Sequence, residues 1–318
     1  MNTFGHTFRL TTFGESHGVA IGGIIDGCPA GFGPDFDAVS ADLSRRRGDI
    51  RQGASARAIA EDDRVEWLSG LIDGTTLGTP IAFLVRNTAA DSSDYEQLRN
   101  VFRPGHADLA YQLKYGIRDH RGGGRASARE TVARVVAGSL AKQWLAKTGV
   151  SISARVTEVA GVTDAEQWQQ LIAQAGREGD SVGGIVEGTI SGLRAGTGEP
   201  VFDKLQARLA YAMMSIPAAK GFEYGEGFHE AQIRGSECNL LRDGIAGGIS
   251  TGDDIRFRVA FKPTPSISMP QQMQVMQPDG TLLTQTIALK GRFDTCVAMR
   301  APVIVEAMAA LVLIDLML

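Results

Sequence analysis

Two histidines lie in polar segments punctuated by glycine: His17 in Gly14-Glu15-Ser16-His17-Gly18 and His106 in Arg103-Pro104-Gly105-His106-Ala107-Asp108. Imidazole changes charge near neutral pH, so a pair of them suits proton delivery and the stabilisation of a leaving anion. A histidine that only caps a turn is the plain alternative, and it serves for His6, His120 and His229, although His120 adjoins Arg121. What sets His17 and His106 apart is the arginine around them. Residues 45–57 hold Arg45, Arg46, Arg47, Arg51 and Arg57 against the single acid Asp49, and residues 99–134 hold eight basic residues against three acids. The chain as a whole is nevertheless acidic, with a net charge of -4. An acidic protein with two concentrated basic segments focuses one small anion and does not coat a polyanion, so no nucleic-acid partner is expected.

The second basic segment contains Arg121-Gly122-Gly123-Gly124-Arg125-Ala126-Ser127-Ala128-Arg129-Glu130-Thr131 and runs into a helix expected over residues 128–148. A glycine run before a helix N-terminus exposes backbone N–H groups at the positive end of the helix dipole, and Ser127 fits an N-cap or a phosphate ligand. Arginine adds planar forks that bind phosphate or carboxylate through two hydrogen bonds. An arginine-glycine tract for RNA would be disordered and would lack the helix that follows. Gly14-Glu15-Ser16-His17-Gly18 also spells the GxSxG nucleophile elbow of serine hydrolases. That fold needs several strands before its serine, and only about one can precede Ser16.

These loops need elements to hold them. Residues 8–12 and 19–25 read as strands flanking His17, because apolar and β-branched runs end at glycine on both sides. Residues 37–47, 165–175, 203–214 and 302–316 show helical spacing, and residues 185–191, 255–261 and 273–289 read as strands. The class is α+β. No linker or low-complexity tract divides residues 1–318, so a single domain is expected. Pro34, Phe36, Asp37, Ala41 and Leu43 recur at one offset as Pro200, Phe202, Asp203, Ala207 and Leu209, which either marks a duplicated unit or reflects chance likeness at helix starts. Cys28, Cys238 and Cys296 are widely spaced and lack metal-ligand spacing, so no metal site is expected and a cytoplasmic setting fits. The apolar stretch 301–318 is broken by Glu306 and Asp315 and reads as a buried helix, with no membrane role.

Taken in order, the histidine, glycine-run and arginine motifs, together with Ile216-Pro217-Ala218-Ala219-Lys220-Gly221, Gly247-Gly248-Ile249-Ser250, Lys262-Pro263-Thr264-Pro265-Ser266 and Lys290-Gly291-Arg292, resemble the chorismate synthase family. The likeness spreads from Phe8 to Asp315. It implies a β-α-β sandwich with pseudo-two-fold internal symmetry, two sheets around a helical layer, assembled as a homotetramer. The activity implied is the 1,4-anti elimination of phosphate from 5-enolpyruvylshikimate 3-phosphate, giving chorismate with reduced FMN that is not consumed overall. NADPH stays open as the source of reducing power, with an outside reductant favoured because no dinucleotide fingerprint is present.

Carried over residue by residue, the resemblance implies that His106 protonates the departing phosphate, that His17 protonates the reduced flavin and that Asp315 assists proton removal. Ser16, Arg46, Arg47, Arg51, Arg103, Ser127 and Arg129 would hold substrate. Arg125, Ala126, Ser127, Pro217, Ala218, Gly247, Lys262, Pro263, Thr264, Pro265, Ser266 and Arg292 would hold FMN. The chain departs from the family pattern in a shortened segment at residues 235–248 and an early C-terminus. That departure motivates an alternative, a protein that binds flavin or a phosphometabolite with impaired catalysis.

Overall fold

A computed structural model describes residues 1–318 except Ser92 and Arg292, and leaves the side chain of Asp94 undescribed. The first main sheet runs in the spatial order Thr3–Phe4, Arg9–Phe13, Ala20–Asp26, Ile81–Arg86, Val65–Trp67, with every pair antiparallel. The second runs Ser151–Val159, Gly184–Ser191, Ile255–Phe261, Ala219–Tyr224, again antiparallel throughout. Leaving aside Thr3–Phe4, each sheet holds four strands whose chain order across the sheet is first, second, fourth, third. In each, one helix follows the second strand and a long helix follows the fourth. Phe36–Arg47 and Thr131–Ala146 fill these places in the first half, Leu205–Met214 and Pro302–Met317 in the second. The two halves are therefore one topological unit used twice, and the offset seen in the sequence is a true repeat. Its buried positions agree: Val39 and Leu43 in one helix correspond to Leu205 and Leu209 in the other.

The strands alternate between buried and more exposed residues, as in Gly184–Ser191 and Ile81–Arg86, so each sheet offers one apolar face to the helices. Thr131–Ala146 packs on the first sheet and Pro302–Met317 on the second, and the two helices pack on each other. Pro302–Met317 is buried continuously from Val303 to Asp315, as a helix apolar on all sides must be when it lies at the centre of a protein. Gly138 permits the crossing, since a Cβ there would come within 2.4 Å of the Ala307 Cβ. One core cluster runs from Phe8 to Ile314. Among the described residues no helix is long and apolar enough to cross a membrane.

Some elements differ from the sequence reading. Residues 273–289 form a hairpin, Gln271–Met276 with Leu282–Ile287, turning through Gly280 at a positive φ of 84°. Val101–Phe102 joins this hairpin and leads directly into the His106 loop. The helix expected over 128–148 begins as a tight turn, Ala128–Glu130, before the α-helix Thr131–Ala146, so Ser127 caps the turn and accepts from the Arg129 N–H.

Candidate functional site

A cleft of about 360 Å³ forms where the His106 loop, the glycine run and the turn at residues 262–266 meet the residues just before the two long helices. Arg46, Arg57, Arg103, Arg129, Arg300 and Lys262 line it, with Glu61 and Asp294 as its carboxylates. Each arginine arrives from a different element. Arg46 comes from the last turn of Phe36–Arg47, Arg57 from the short helix Ala56–Ala60, and Arg103 from the end of Val101–Phe102.

The guanidinium groups are held by buried acids. Arg46 Nη2 donates to Asp63 Oδ2 at 2.8 Å, and Arg129 Nη1 donates to the other oxygen of the same carboxylate. Burial pushes the Asp63 carboxyl up, but the charges of Arg46 and Arg129 more than offset this and hold it below its ordinary range. Arg103 grips Asp108 with two bonds, Nε to Oδ2 at 2.7 Å and Nη2 to Oδ1 at 3.0 Å, and donates through Nη1 to Ser266 Oγ at 2.9 Å. Asp108 in turn orients His106, whose Nδ1 lies 2.9 Å from Oδ1. A proton on Nδ1 directed at that carboxylate leaves Nε2 for a ligand. Burial, joined by the charges of Arg103 and Lys262, holds His106 below its ordinary range despite Asp108, so the imidazole is neutral at neutral pH.

His17 stands one layer behind the cleft wall. Arg57 Nη1 lies 2.7 Å from His17 Nε2 and 3.0 Å from Ser16 Oγ, and Arg57 Nη2 donates to the Ser16 carbonyl at 2.5 Å. A guanidinium can only donate, so His17 Nε2 accepts. The ring also packs edge-on against Tyr95. The glycine run fits both histidines. A Cβ at Gly122 would lie 2.2 Å from His17 Cδ2, and one at Gly123 would lie 2.9 Å from His106 Cε1, while both residues hold positive φ.

Of the residues assigned from sequence, His106, Arg46, Arg103, Ser127, Arg129, Ala126, Pro217, Ala218, Lys262, Thr264, Pro265 and Ser266 line the cleft. Ser16 is wholly buried behind Arg57. Arg47 turns instead to the Glu61 and Asp62 carbonyls, and Arg51 is exposed on the turn Ile50–Gln52. Arg125 donates to Thr12 Oγ1 and the Gly14 carbonyl and lines other cavities. Gly247 is an exposed turn between Ile245–Ala246 and Ile249–Ser250, and Pro263 does not line the cleft. Arg292 lies outside the described residues.

Asp315 needs a larger correction. It is buried away from the cleft, where its carboxylate accepts from the backbone N–H groups of His6, Thr7 and Phe8 at 2.6 to 3.0 Å and pairs with Arg208 Nη2 at 2.5 Å. It fastens the N-terminal segment to the last helix. The acid that reaches the cleft is Asp294, which follows the Lys290-Gly291-Arg292 motif closely in sequence. Its Oδ1 accepts from the Ser55 N–H at 2.8 Å, and its Oδ2 has Arg300 at 3.5 Å. Arg57, Glu61, Tyr95 and Arg300 were likewise not singled out as ligands. Arg57 could have been found from its Arg57…Glu61 helical spacing. Among the described residues, no group of three or more His, Cys, Asp or Glu could hold a metal ion.

A family model described as Chorismate synthase matches residues 8–318. The chain is 47% identical over 355 residues to a chorismate synthase of Porphyromonas gingivalis, covering 99% of this chain and 95% of the relative. It is also 47% identical over 356 residues to one of Archaeoglobus fulgidus, covering 100% of this chain and 97% of that protein. A solved structure titled Crystal Structure of Chorismate Synthase superposes with a TM-score of 0.74 at 27% identity, covering 98% of this chain and 92% of the other.

Proposed function

The chain belongs to the chorismate synthase family, carbon–oxygen lyases that eliminate phosphate from 5-enolpyruvylshikimate 3-phosphate in aromatic amino acid biosynthesis, and we propose that the arginine-lined cleft is where it holds that substrate. The observation that carries this reading is the convergence of six cationic side chains with a half-buried, carboxylate-oriented imidazole. The substrate bears a phosphate and two carboxylates, so its charge matches forks already fixed by Asp63 and Asp108. Fixing them beforehand lowers the ordering cost of binding.

The elimination breaks a ring C–H bond and the C–O bond to phosphate, forms a C=C bond, and sends the phosphate away with the C–O electron pair. His106 would deliver a proton through Nε2 to the departing phosphate. Its value is low in the free protein, and an adjoining phosphate dianion raises it. Arg103 and Lys262 would spread the charge that develops there. Asp294, not Asp315, would take the ring proton, because among the described residues its Oδ2 is held only by the 3.5 Å approach of Arg300, while Glu61, the other cleft acid, is committed to shorter bonds.

The cleft also fits FMN. Among the described residues, Arg46 Nε, Arg57 Nε and Thr264 Oγ1 are buried without hydrogen-bond partners, and Ala126, Ser127, Pro217, Ala218, Lys262, Thr264, Pro265 and Ser266 form a lining of small side chains and polar groups suited to a flavin ring and its phosphate. Reduced FMN supplies the electron-rich environment on which the elimination depends and is not consumed overall. His17 would act on the flavin through Arg57, which donates to its Nε2 and lines the cleft. The shortened segment at residues 235–248 contributes nothing to the cleft lining, which favours a working lyase over an impaired binder. We further take the protein to be cytoplasmic and homotetrameric, with reducing power from outside, NADPH included. The exposed Phe202 and Tyr211 support an association surface.

The test is anaerobic chorismate formation with chemically reduced FMN, comparing parent with His106→Ala. A fall of about 10²–10⁴-fold in kcat, with FMN binding kept, is expected for loss of a general acid. Undiminished turnover in the variant would remove His106 from the chemistry.

A further inference from the structure

Arg129 and Arg300 occupy the same place in the two halves of the fold. Each stands two residues before a long central helix, Thr131–Ala146 or Pro302–Met317, within a tight turn. Each is 6% exposed, and each lines the cleft. Their bonding differs. Arg129 donates to Asn87 Oδ1, to Asp63 and to the Arg86 carbonyl. Arg300 has Asp294 at 3.5 Å through Nη2, and its Nε and Nη1 are buried with no hydrogen-bond partner among the described residues.

A buried guanidinium with two unmade donors is destabilising unless something acidic answers it. Burial lowers Arg46, and against the pull of Asp63 the nearby charges of Arg300 and Arg129 lower it further, the Asp63 carboxylate being shared with Arg129. The start of Pro302–Met317 adds the positive end of a helix dipole beside Arg300. Cationic charge in this corner thus exceeds its internal acids. The structure assigns Arg300 as an additional anion-binding residue of the cleft, the contribution of the second half, taking a phosphate or carboxylate oxygen of the bound substrate or the phosphate of the flavin.

This rests on the cleft being the substrate site, and calorimetry separates the two claims. 5-Enolpyruvylshikimate 3-phosphate, FMN and riboflavin are titrated separately into parent, Arg300→Gln and Arg300→Lys, with steady-state kinetics alongside. Arg300→Gln is expected to weaken one anion at least tenfold and to raise KM by far more than it lowers kcat, with Arg300→Lys in between. Loss confined to the substrate assigns the contact to its anionic groups. Loss confined to FMN, with riboflavin unchanged, assigns it to the flavin phosphate. If neither anion changes by more than twofold, the assignment is overturned. A parent that binds neither anion contradicts the cleft reading itself. Should Arg300→Gln not fold, Arg300→Lys keeps charge and length and decides alone: at least threefold weakening supports the contact, and unchanged affinity removes it.

Discussion

The two halves of this molecule share strand order, helix placement and buried positions, yet one is furnished for charge and the other for packing. At the repeat offset, Arg46 of the first half corresponds to Ala212 of the second; the arginine reaches the cleft while the alanine is core. Asp42 corresponds to Arg208, which pairs with Asp315 and Asp203 to brace the chain termini. Glu130, before the first long helix, holds Arg134 at 2.9 Å, whereas Ala301 fills the same place before the second. A duplicated scaffold can therefore carry one site made mostly by a single copy, because a site needs only a few side chains on a rigid frame. The second copy contributes from the segment between Ile255–Phe261 and Pro302–Met317, through the turn at residues 262–266, Asp294 and Arg300.

The comparison is sharpest at two carboxylates. Asp294→Asn is expected to lower kcat by about 10²–10⁴-fold, the range for a lost general base, while unfolding stays close to that of the parent. Asp315→Asn is expected to do the reverse. Weakening a buried ion pair costs up to about 3–5 kcal/mol, so its melting temperature drops while kcat per folded molecule is kept. Thermal melts beside turnover measure both, and a collapse of kcat in a folded Asp315→Asn would return that residue to the chemistry. The smallest effect belongs to Arg51. It is exposed, so Arg51→Ala should shift stability by no more than about 0.5 kcal/mol and substrate KM by less than twofold. A tenfold rise in KM would bring Arg51 back to the site.

Much of the frame was legible in the sequence because it is encoded locally. Phe36–Arg47, Ala165–Glu178 and Pro302–Met317 announce themselves by spacing, and the repeat at Pro34 and Pro200 marked a real duplication. Ser151–Val159 was missed since its exposed and half-buried Ser, Arg and Thr blur the alternation, and Asp108–Tyr115 since it is short. The histidine and glycine-run motifs marked the cleft because loop chemistry is contiguous in the chain. Which arginines reach it was not legible. Arg47 and Arg46 are adjacent in sequence and face different partners, and the role of Asp315 depends on contacts more than 300 residues away. Tertiary geometry decides these cases, and neither composition nor periodicity records it.

The central claim is that substrate phosphate sits against His106 within the cleft. NMR titration of the His106 ring, with and without 5-enolpyruvylshikimate 3-phosphate, tests it directly. In the free protein the ring should titrate below its unfolded value of about 6.5. As pH falls through that window the unfolded chain takes the proton first, so this residue's share of stability is complete above 6.5 and is lost below it. Bound substrate should move the His106 titration upward, and Asp108→Asn should move it further down in the free protein, because Asp108 raises it. A His106 titration that ignores saturating substrate would contradict the account.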